Sequence, residues 1–367
     1  MSVEGRHFTD RELETKRLQL NFENGMNSIL ISPRRMGKTS LVKKVMKMVE
    51  SKVRLVVFMD IYNCRTEYEF YERFASSVIQ ATATKSEQMI ATAKEFIMSI
   101  APKIIYSPMP GTDYALQLGI NSKTNTPEEI LNLPERIAQK RGIQIVVCID
   151  EFQQIGEMPD SLNIQKTIRS AWQHHRNTSY CLFGSKQHLM TKLFYSRKMP
   201  FYQFGDMFFL RKIPTEKWVP FIVERFQEAG KQISKELAEK ICSVVDNYSA
   251  YVQQLAWNVL AVSDGDKVTD ESFQDGLDAT LAQVSPLFVE QTSGLTAYQL
   301  NFIRAISDGY HDDFGKSEVT NKYDIGSRSY LIKLKNVLVE KEIIEITESG
   351  CFLADPLFNL WFKRKMK

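Results

Sequence analysis

Long apolar runs, paired cysteines and an excess of either charge are what this chain has least of. Of its 367 residues, 43% are hydrophobic and 25% charged, ordinary globular usage that excludes a disordered or fibrous chain and leaves room for two or three domains. No apolar run approaches the roughly 18 to 20 residues of a membrane-spanning helix. The longest, near Val53 to Met59 and Ile143 to Ile149, have the length of buried strands. The opening residues, MSVEGRHFTDRELETKR, are charged throughout and lack the apolar stretch of a signal peptide, so a cytoplasmic location without membrane contact is expected. The cysteines, Cys64, Cys148, Cys181, Cys242 and Cys351, are scattered, with no CxxC pair and no histidine at metal-ligand spacing. That argues for reduced, buried thiols and against a zinc site. Adjacent His174 and His175 would point about 100° apart on a helix, which suits solvated helix-end residues better than a shared metal. A net charge of +3 neither calls for nucleic acid nor forbids it, because a basic patch can sit inside a balanced total.

What the chain does have is an alternation, in its first half, of short apolar runs with longer amphipathic stretches, the pattern of strands and crossover helices in a mostly parallel α/β sheet. Strands are expected over Asn27 to Ser32, Val53 to Tyr62, Ile143 to Ile149, Tyr180 to Phe183 and Met207 to Ile213, with a helix over Tyr68 to Thr82. A long excursion, Lys85 to Lys140, interrupts the series; it holds a helix near Glu87 to Ile100 and a Pro/Gly-punctuated loop over Ser107 to Asp113. After Pro214 strand signals stop, and helical periodicity covers Glu216 to Glu228, Ser234 to Val245, Ala250 to Val262 and Asp270 to Phe288. Beyond Gly294-Leu295-Thr296 come helices over Ala297 to Ser307, Lys316 to Tyr323 and Ser327 to Lys341. Two short strands follow, Ile343 to Ile346 and Cys351 to Leu353, in the winged-helix order. No internal repeat or low-complexity tract appears.

The chemistry concentrates at strand ends. Ser32-Pro33-Arg34-Arg35-Met36-Gly37-Lys38-Thr39 follows an apolar strand and opens a helix, and it fits a phosphate-binding P-loop except that Ser32 stands where the first glycine belongs. Pro33 holds the residue before it extended, a backbone that serine accepts. Backbone N–H groups from Met36 to Thr39 would cradle phosphates at the helix N-terminus, and Gly37 would let the backbone approach. Lys38 would reach the β- and γ-phosphates, the Thr39 hydroxyl would coordinate Mg²⁺, and Ser40 continues the helix. The strand Ile143 to Ile149 ends in Asp150 and Glu151. Taken alone, that pair could be solvated carboxylates capping a helix. Joined to a P-loop, Asp150 holds the Mg²⁺ shell and Glu151 orients and deprotonates a water, because ligands of such sheets bind at strand C-termini.

HFTDRE near the start, SPRRMGKTSLVKKV, VVCIDEFQQI, CLFGSKQHLM and the terminal LADPLFNLWFKR make the chain resemble, over nearly its whole length, the archaeal-type ATPase family. That family belongs to the AAA+/STAND group of P-loop ATPases and is similar in layout to the Cdc6/Orc1 replication initiators. The resemblance implies a P-loop NTPase (AAA+/ASCE) core with a parallel sheet over residues 1–214, a helical lid over 215–292 and a C-terminal winged-helix domain over 293–367. ATP and Mg²⁺ are the implied cofactors, on Walker A and Walker B elements. It places Phe8-Thr9-Asp10-Arg11-Glu12 near the adenine, with Phe8 and Arg11 in contact and Asp10 where the family has glycine. It puts Ser185 at the position that senses the γ-phosphate; a serine capping the helix Lys186 to Phe194 is the other reading. Asn247-Tyr248-Ser249-Ala250-Tyr251 occupies the place of the family's Gly-Gly-x-Pro turn without its glycines or proline, so no sensor-2 arginine can be named. Arg169, Arg176, Arg197 and Arg211 are candidate γ-phosphate contacts or arginine fingers, each more readily read as an ordinary surface charge.

In the C-terminal module, Arg328, Lys333 and Lys335 lie on the third helix, with Tyr330, Leu331, Leu334 and Leu338 on its buried side, as in a recognition helix. From Leu295 to Lys367, however, 11 Lys+Arg face 10 Asp+Glu, a net of +1. DNA binding and protein contact or self-association therefore both stay open. Lys363, Arg364, Lys365 and Lys367 read as a solvated terminus, and Asp355-Pro356-Leu357-Phe358 with Trp361-Phe362 as packing that pins the final helix to the wing. The expected protein is an ATPase, slow without a partner, whose catalytic set is Lys38, Asp150, Glu151 and Ser185. It would act as a nucleotide-dependent switch, with an ATP-bound signalling scaffold of little hydrolysis as the alternative.

Overall fold

The computed structural model describes residues 8–83, 105–108, 116–119, 127–347 and 349–365; the side chains of the two short strands at 105–119 and of Arg328 are not among them. The helix expected over Glu87 to Ile100, and most of the loop expected over Ser107 to Asp113, lie outside the described residues. The chain divides into two compact units, Met1–Lys212 and Ile213–Lys367.

In the first unit the order is α1 (Glu12–Glu23), β1 (Ser28–Ile31), α2 (Lys38–Val49), β2 (Arg54–Asp60), α3 (Glu67–Thr82), β3 (Ile105–Pro108) and β4 (Leu116–Gly119). It continues through α4 (Pro127–Leu131), α5 (Leu133–Arg141), β5 (Gln144–Asp150), α6 (Ser161–Trp172), β6 (Thr178–Gly184), α7 (Gln187–Tyr195) and β7 (Asp206–Phe209). Strands β3 and β4 form an antiparallel pair inside the excursion Lys85 to Lys140, where no strand is expected from the sequence. The other five make one sheet, ordered β2-β5-β6-β1-β7, with every neighbouring pair parallel. Strands of a parallel sheet are covered on both faces, and β5 and β6 are accordingly buried along almost their whole length.

Alternate strand residues enter opposite layers. Ile29, Ile31, Val57, Met59, Ile145, Val147, Ile149, Tyr180 and Leu182 join the core of α3 to α7, where the Trp172 and Tyr180 rings stack at 3.9 Å. Burial of each large side chain there stabilises the fold by about 1.5–3 kcal/mol. On the other layer, the Lys43 ammonium of α2 sits 4.9 Å from the Phe58 ring centroid. The register aligns the strand ends: Ile31 pairs with Gly184 and with Phe209, and Asp60 with Asp150. Because β6 is inserted between β1 and β5, the residue after β6 is flanked by the loop after β1 and by the two carboxylates at the end of β5.

The second unit holds α8 (Thr215–Glu228), α9 (Lys235–Val244), α10 (Ser249–Val262) and α11 (Asp270–Ser293). After these come α12 (Ala297–Ser307), α13 (Ser317–Tyr323), α14 (Arg328–Glu340), the hairpin β8 (Ile344–Thr347) with β9 (Gly350–Leu353), and α15 (Pro356–Lys365). Helix α11 runs on past the expected end at Phe288 to Ser293 and carries Pro286 inside it. The final helix is pinned to the helical segment as well as to the hairpin. Asp355 caps α15 by accepting from Leu357 N–H at 2.9 Å, the Tyr251 hydroxyl donates to its other oxygen, and Trp361 Nε1 donates to Ser285 Oγ at 2.9 Å.

Candidate nucleotide site

Gly37, with φ +87°, turns the chain into α2, and nothing lies within 4 Å of where a Cβ would stand, so its glycine is required by backbone conformation alone. The helical ladder opens with Leu41 N–H donating to Gly37 O at 3.0 Å, which leaves the N–H groups of the first turn outside it and directed beyond the helix N-terminus. Ser32, the departure from the motif, is fully buried and absent from the residues with positive φ; the left-handed positions of the loop are Arg35 and Gly37. Serine therefore meets no backbone strain where glycine was expected, and its hydroxyl donates to Pro33 O at 3.0 Å. Met36 and Ser40 are buried, Pro33 is half-buried, and Arg34 and Arg35 are exposed. The Lys38 ammonium is buried and donates to the carbonyls of Ser32 at 3.2 Å and Pro33 at 3.0 Å. Desolvation pushes it below the ordinary lysine value, opposed by the charges of Glu151 and Asp150.

Asp150 is buried and accepts from Thr39 Oγ1 at 2.7 Å. Burial pushes its carboxyl up to about 6, against the pull of the Thr39 hydrogen bond. Among the described residues no cluster of three or more His, Cys, Asp or Glu could hold a metal alone. A hydroxyl and a carboxylate oxygen nonetheless suit Mg²⁺, which keeps waters and takes phosphate oxygens for the rest of its shell. Their 2.7 Å separation is close to the spacing of neighbouring ligands around an octahedral magnesium ion, about 2.9 Å. Glu151 stands in the left-handed region at φ +56°. Its Oε2 accepts from Ser185 Oγ at 2.8 Å and from Gln153 Nε2. Helix α7 begins after Lys186 and has no side-chain cap, so the Ser185 hydroxyl bonds the carboxylate rather than the helix.

At the N-terminal segment, Asp10 and Arg11 both have positive φ, +55° and +76°, the left-handed region that glycine adopts without strain. Arg11 is 4% exposed. Its guanidinium donates to Met36 O at 3.3 Å and to Glu14 at 3.2 Å, tying this segment to the P-loop. Phe8 packs beneath the Lys44 ammonium, 4.0 Å from its ring centroid.

The structure separates the candidate arginines. Arg176 precedes β6 at the end of the sheet opposite Ser185, with the seven-residue strand, about 23 Å long, between them, so it does not reach the site of its own chain. Arg169 donates to Pro200 O at 3.2 Å and covers the Phe204 ring, which explains it as packing. Arg197 is an exposed residue just beyond α7. Arg211 follows Leu210, whose N–H donates to Ile31 O, so it lies at the same sheet edge as the P-loop. His175, expected to be solvated, is half-buried between Tyr180 OH and Asn132 Oδ1, each at 2.8 Å. Sequence reasoning missed Gln153 and Gly184. Gln153 is 2% exposed and lies against Gly184, where a Cβ would come within 1.9 Å of Gln153 Oε1. Its place three residues after Asp150 was the available signal.

On α14, Lys335 is half-buried, its ammonium 4.9 Å from the Phe314 ring centroid and 6.0 Å from that of Phe302. Lys333 is exposed beside Ile332, which is 66% exposed. Arg364 is paired with Asp278.

A parallel sheet with a Gly-Lys-Thr turn after one strand and an Asp-Glu pair after the next strand but one defines the P-loop NTPase fold. Residues 8–255 match the family described as an ATPase domain predominantly from Archaea, and the chain belongs to that family. A Walker-type ATPase of Pyrococcus abyssi is similar in structure at TM-score 0.71 and 16% identity, over 99% of this chain and 98% of that one. The Orc2 protein of Aeropyrum pernix, in ADPNP–ADP complexes, is similar at 0.59 and 13%, over 97% and 94%. The Orc1 protein of Aeropyrum pernix, in complex with DNA, is similar at 0.52 and 11%, over 97% and 93%. No curated protein matches the chain. The chain is thus a member of this archaeal ATPase-domain family with a P-loop NTPase fold, and none of its described helices is long and apolar enough to cross a membrane.

Proposed function

We propose that the chain binds MgATP at the edge of the sheet where Ser32 to Ser40, Asp150, Glu151 and Ser185 converge, and hydrolyses it slowly as a nucleotide-dependent cytoplasmic switch. The contact of Thr39 Oγ1 with Asp150 Oδ2 carries the reading, since it joins the P-loop to the carboxylate strand through two oxygens fit for one cation. Lys38 would exchange the Ser32 and Pro33 carbonyls for phosphate oxygens, and the first turn of α2 would donate N–H groups to the same anion. Thr39 and Asp150 would hold Mg²⁺, which supplies charge neutralisation of the phosphates. Glu151 would accept the proton of the attacking water, with Ser185 orienting it. Phe8 and Arg11 would border the base. Residues 1–214 form the ATPase core in this reading, residues 215–292 a lid and residues 293–367 a winged-helix output domain. An arginine from another subunit or partner is worth about 10³ to 10⁵ in rate, so turnover in isolation is expected to be slow.

Lys38→Ala is expected to abolish ATP binding, and Glu151→Gln to keep binding and lose turnover. ATP affinity and turnover unchanged in Lys38→Ala would overturn the assignment. Binding without turnover in the parent would leave a nucleotide-bound scaffold. For the output domain, Lys335 folded over Phe314, exposed Ile332 and a net charge of +1 favour a protein contact over DNA. The DNA reading rests on the likeness to an Orc1 protein solved with DNA. Retention on DNA that falls steeply with salt and with Lys333→Ala would restore it.

A further inference from the structure

We infer that Gln153 is the positioning residue of the ATPase site: together with Ser185 it clamps one oxygen of Glu151, so that the other is presented to water. The inference rests on the proposed role of Glu151. Gln153 begins the helical turn after β5 and is 2% exposed. Its Nε2 donates to Glu151 Oε2, the same oxygen that accepts from Ser185 Oγ at 2.8 Å. With the Ser185 backbone N–H, which donates to Oε2 at 3.4 Å, three donors on one oxygen fix the rotation of the carboxylate and direct proton uptake to Oε1.

Packing does not explain the choice of glutamine. Its Oε1 is buried with no hydrogen-bond partner, a cost in stability that an apolar side chain of the same shape would avoid. The pocket is cut for this amide, because a Cβ at Gly184 would stand 1.9 Å from that oxygen. Glu151 itself is held at φ +56°, a backbone conformation unfavourable for glutamate, which persists only where its surroundings enforce it. A glycine opened for an amide, an unpartnered amide oxygen and a strained glutamate make sense together when the amide N–H₂ is needed on the carboxylate.

Gln153→Met keeps the volume and removes the donor. Its expected signature is kcat lower by about 10- to 100-fold, with KM for ATP and affinity for a non-hydrolysable ATP analogue unchanged, and with a Tm equal to or above that of the parent. A parent turnover that Lys38→Ala abolishes validates the assay. Within it, a Gln153→Met kcat equal to the parent's, or a loss of rate accompanied by equal losses of analogue affinity and of Tm, overturns the positioning role and leaves the ATPase assignment standing. Turnover indifferent to Lys38→Ala, or absent from the parent, overturns both.

Discussion

Thr39 Oγ1 lies 2.7 Å from Asp150 Oδ2, although the two residues are 111 apart in the chain. The contact fastens the first turn of α2 to the end of β5, and it sets two hard oxygen donors side by side. Thr39→Val preserves the shape and removes one donor. Affinity for MgATP is expected to fall about tenfold or more, while affinity for ATP in EDTA changes little. Titration calorimetry with and without Mg²⁺ checks this, and equal losses in both would remove Thr39 from the cation site.

Gly184→Ala tests the same edge from another side. The new Cβ meets the far end of the Gln153 side chain, which can swing away and release Glu151. Stability is expected to drop by about 1 kcal/mol and turnover by about tenfold, so the rate is hit harder than the fold. Thermal melts beside steady-state kinetics separate the two.

Gly276→Ala should do the opposite. Its Cβ would fall 2.6–2.7 Å from the side chain and backbone of Val259, where α10 and α11 cross, and backbone cannot yield as a flexible side chain can. A loss of about 2–3 kcal/mol is expected in urea unfolding, with ATP affinity at the parent value.

The pH dependence of stability carries the mark of His175. Burial pushes its imidazole from the ordinary 6.5 down to about 4. In the neutral ring one nitrogen can accept from Tyr180 OH while the other donates to Asn132 Oδ1, whereas a charged ring could only donate to both. A depressed folded-state value stabilises the fold above pH 6.5, and that contribution is lost as pH falls from 6.5 through 4. After allowance for partial exposure the loss is about 2 kcal/mol. His175→Gln is expected to flatten this part of the profile in a series of melts from pH 8 to pH 4.

Lys335→Gln removes a cation from the Phe314 ring and is expected to cost about 0.5–1 kcal/mol of stability. Retention on DNA-cellulose at low salt should not change. A clear drop would show that the ammonium leaves the ring to meet phosphate.

Periodic signals survive in a single sequence because they are local. The apolar runs ending in Ser32 and Asp150 were legible as strands, and Ala297 to Ser307 was legible as a helix, because burial on both faces and capping by Thr296 act within a few residues. The continuation of α11 from Phe288 to Ser293 was not, since it accompanies the packing of Phe288 against Phe358 and Trp361, which lie about 70 residues further along the chain. His175 looked solvated because its partners lie 5 and 43 residues away.

By itself, the sequence determined the chemistry carried to the sheet edge: an ammonium, a hydroxyl, two carboxylates and a glycine turn, each placed by its own strand and helix. Only the tertiary structure decided how they meet. Inserting β6 between β1 and β5 brings Ser185 to Glu151, opens Gly184 for Gln153, and sends Arg176 to the far end of the sheet. Strand order is set by which apolar faces cover one another across the whole unit, and a count of residues along the chain holds no record of it.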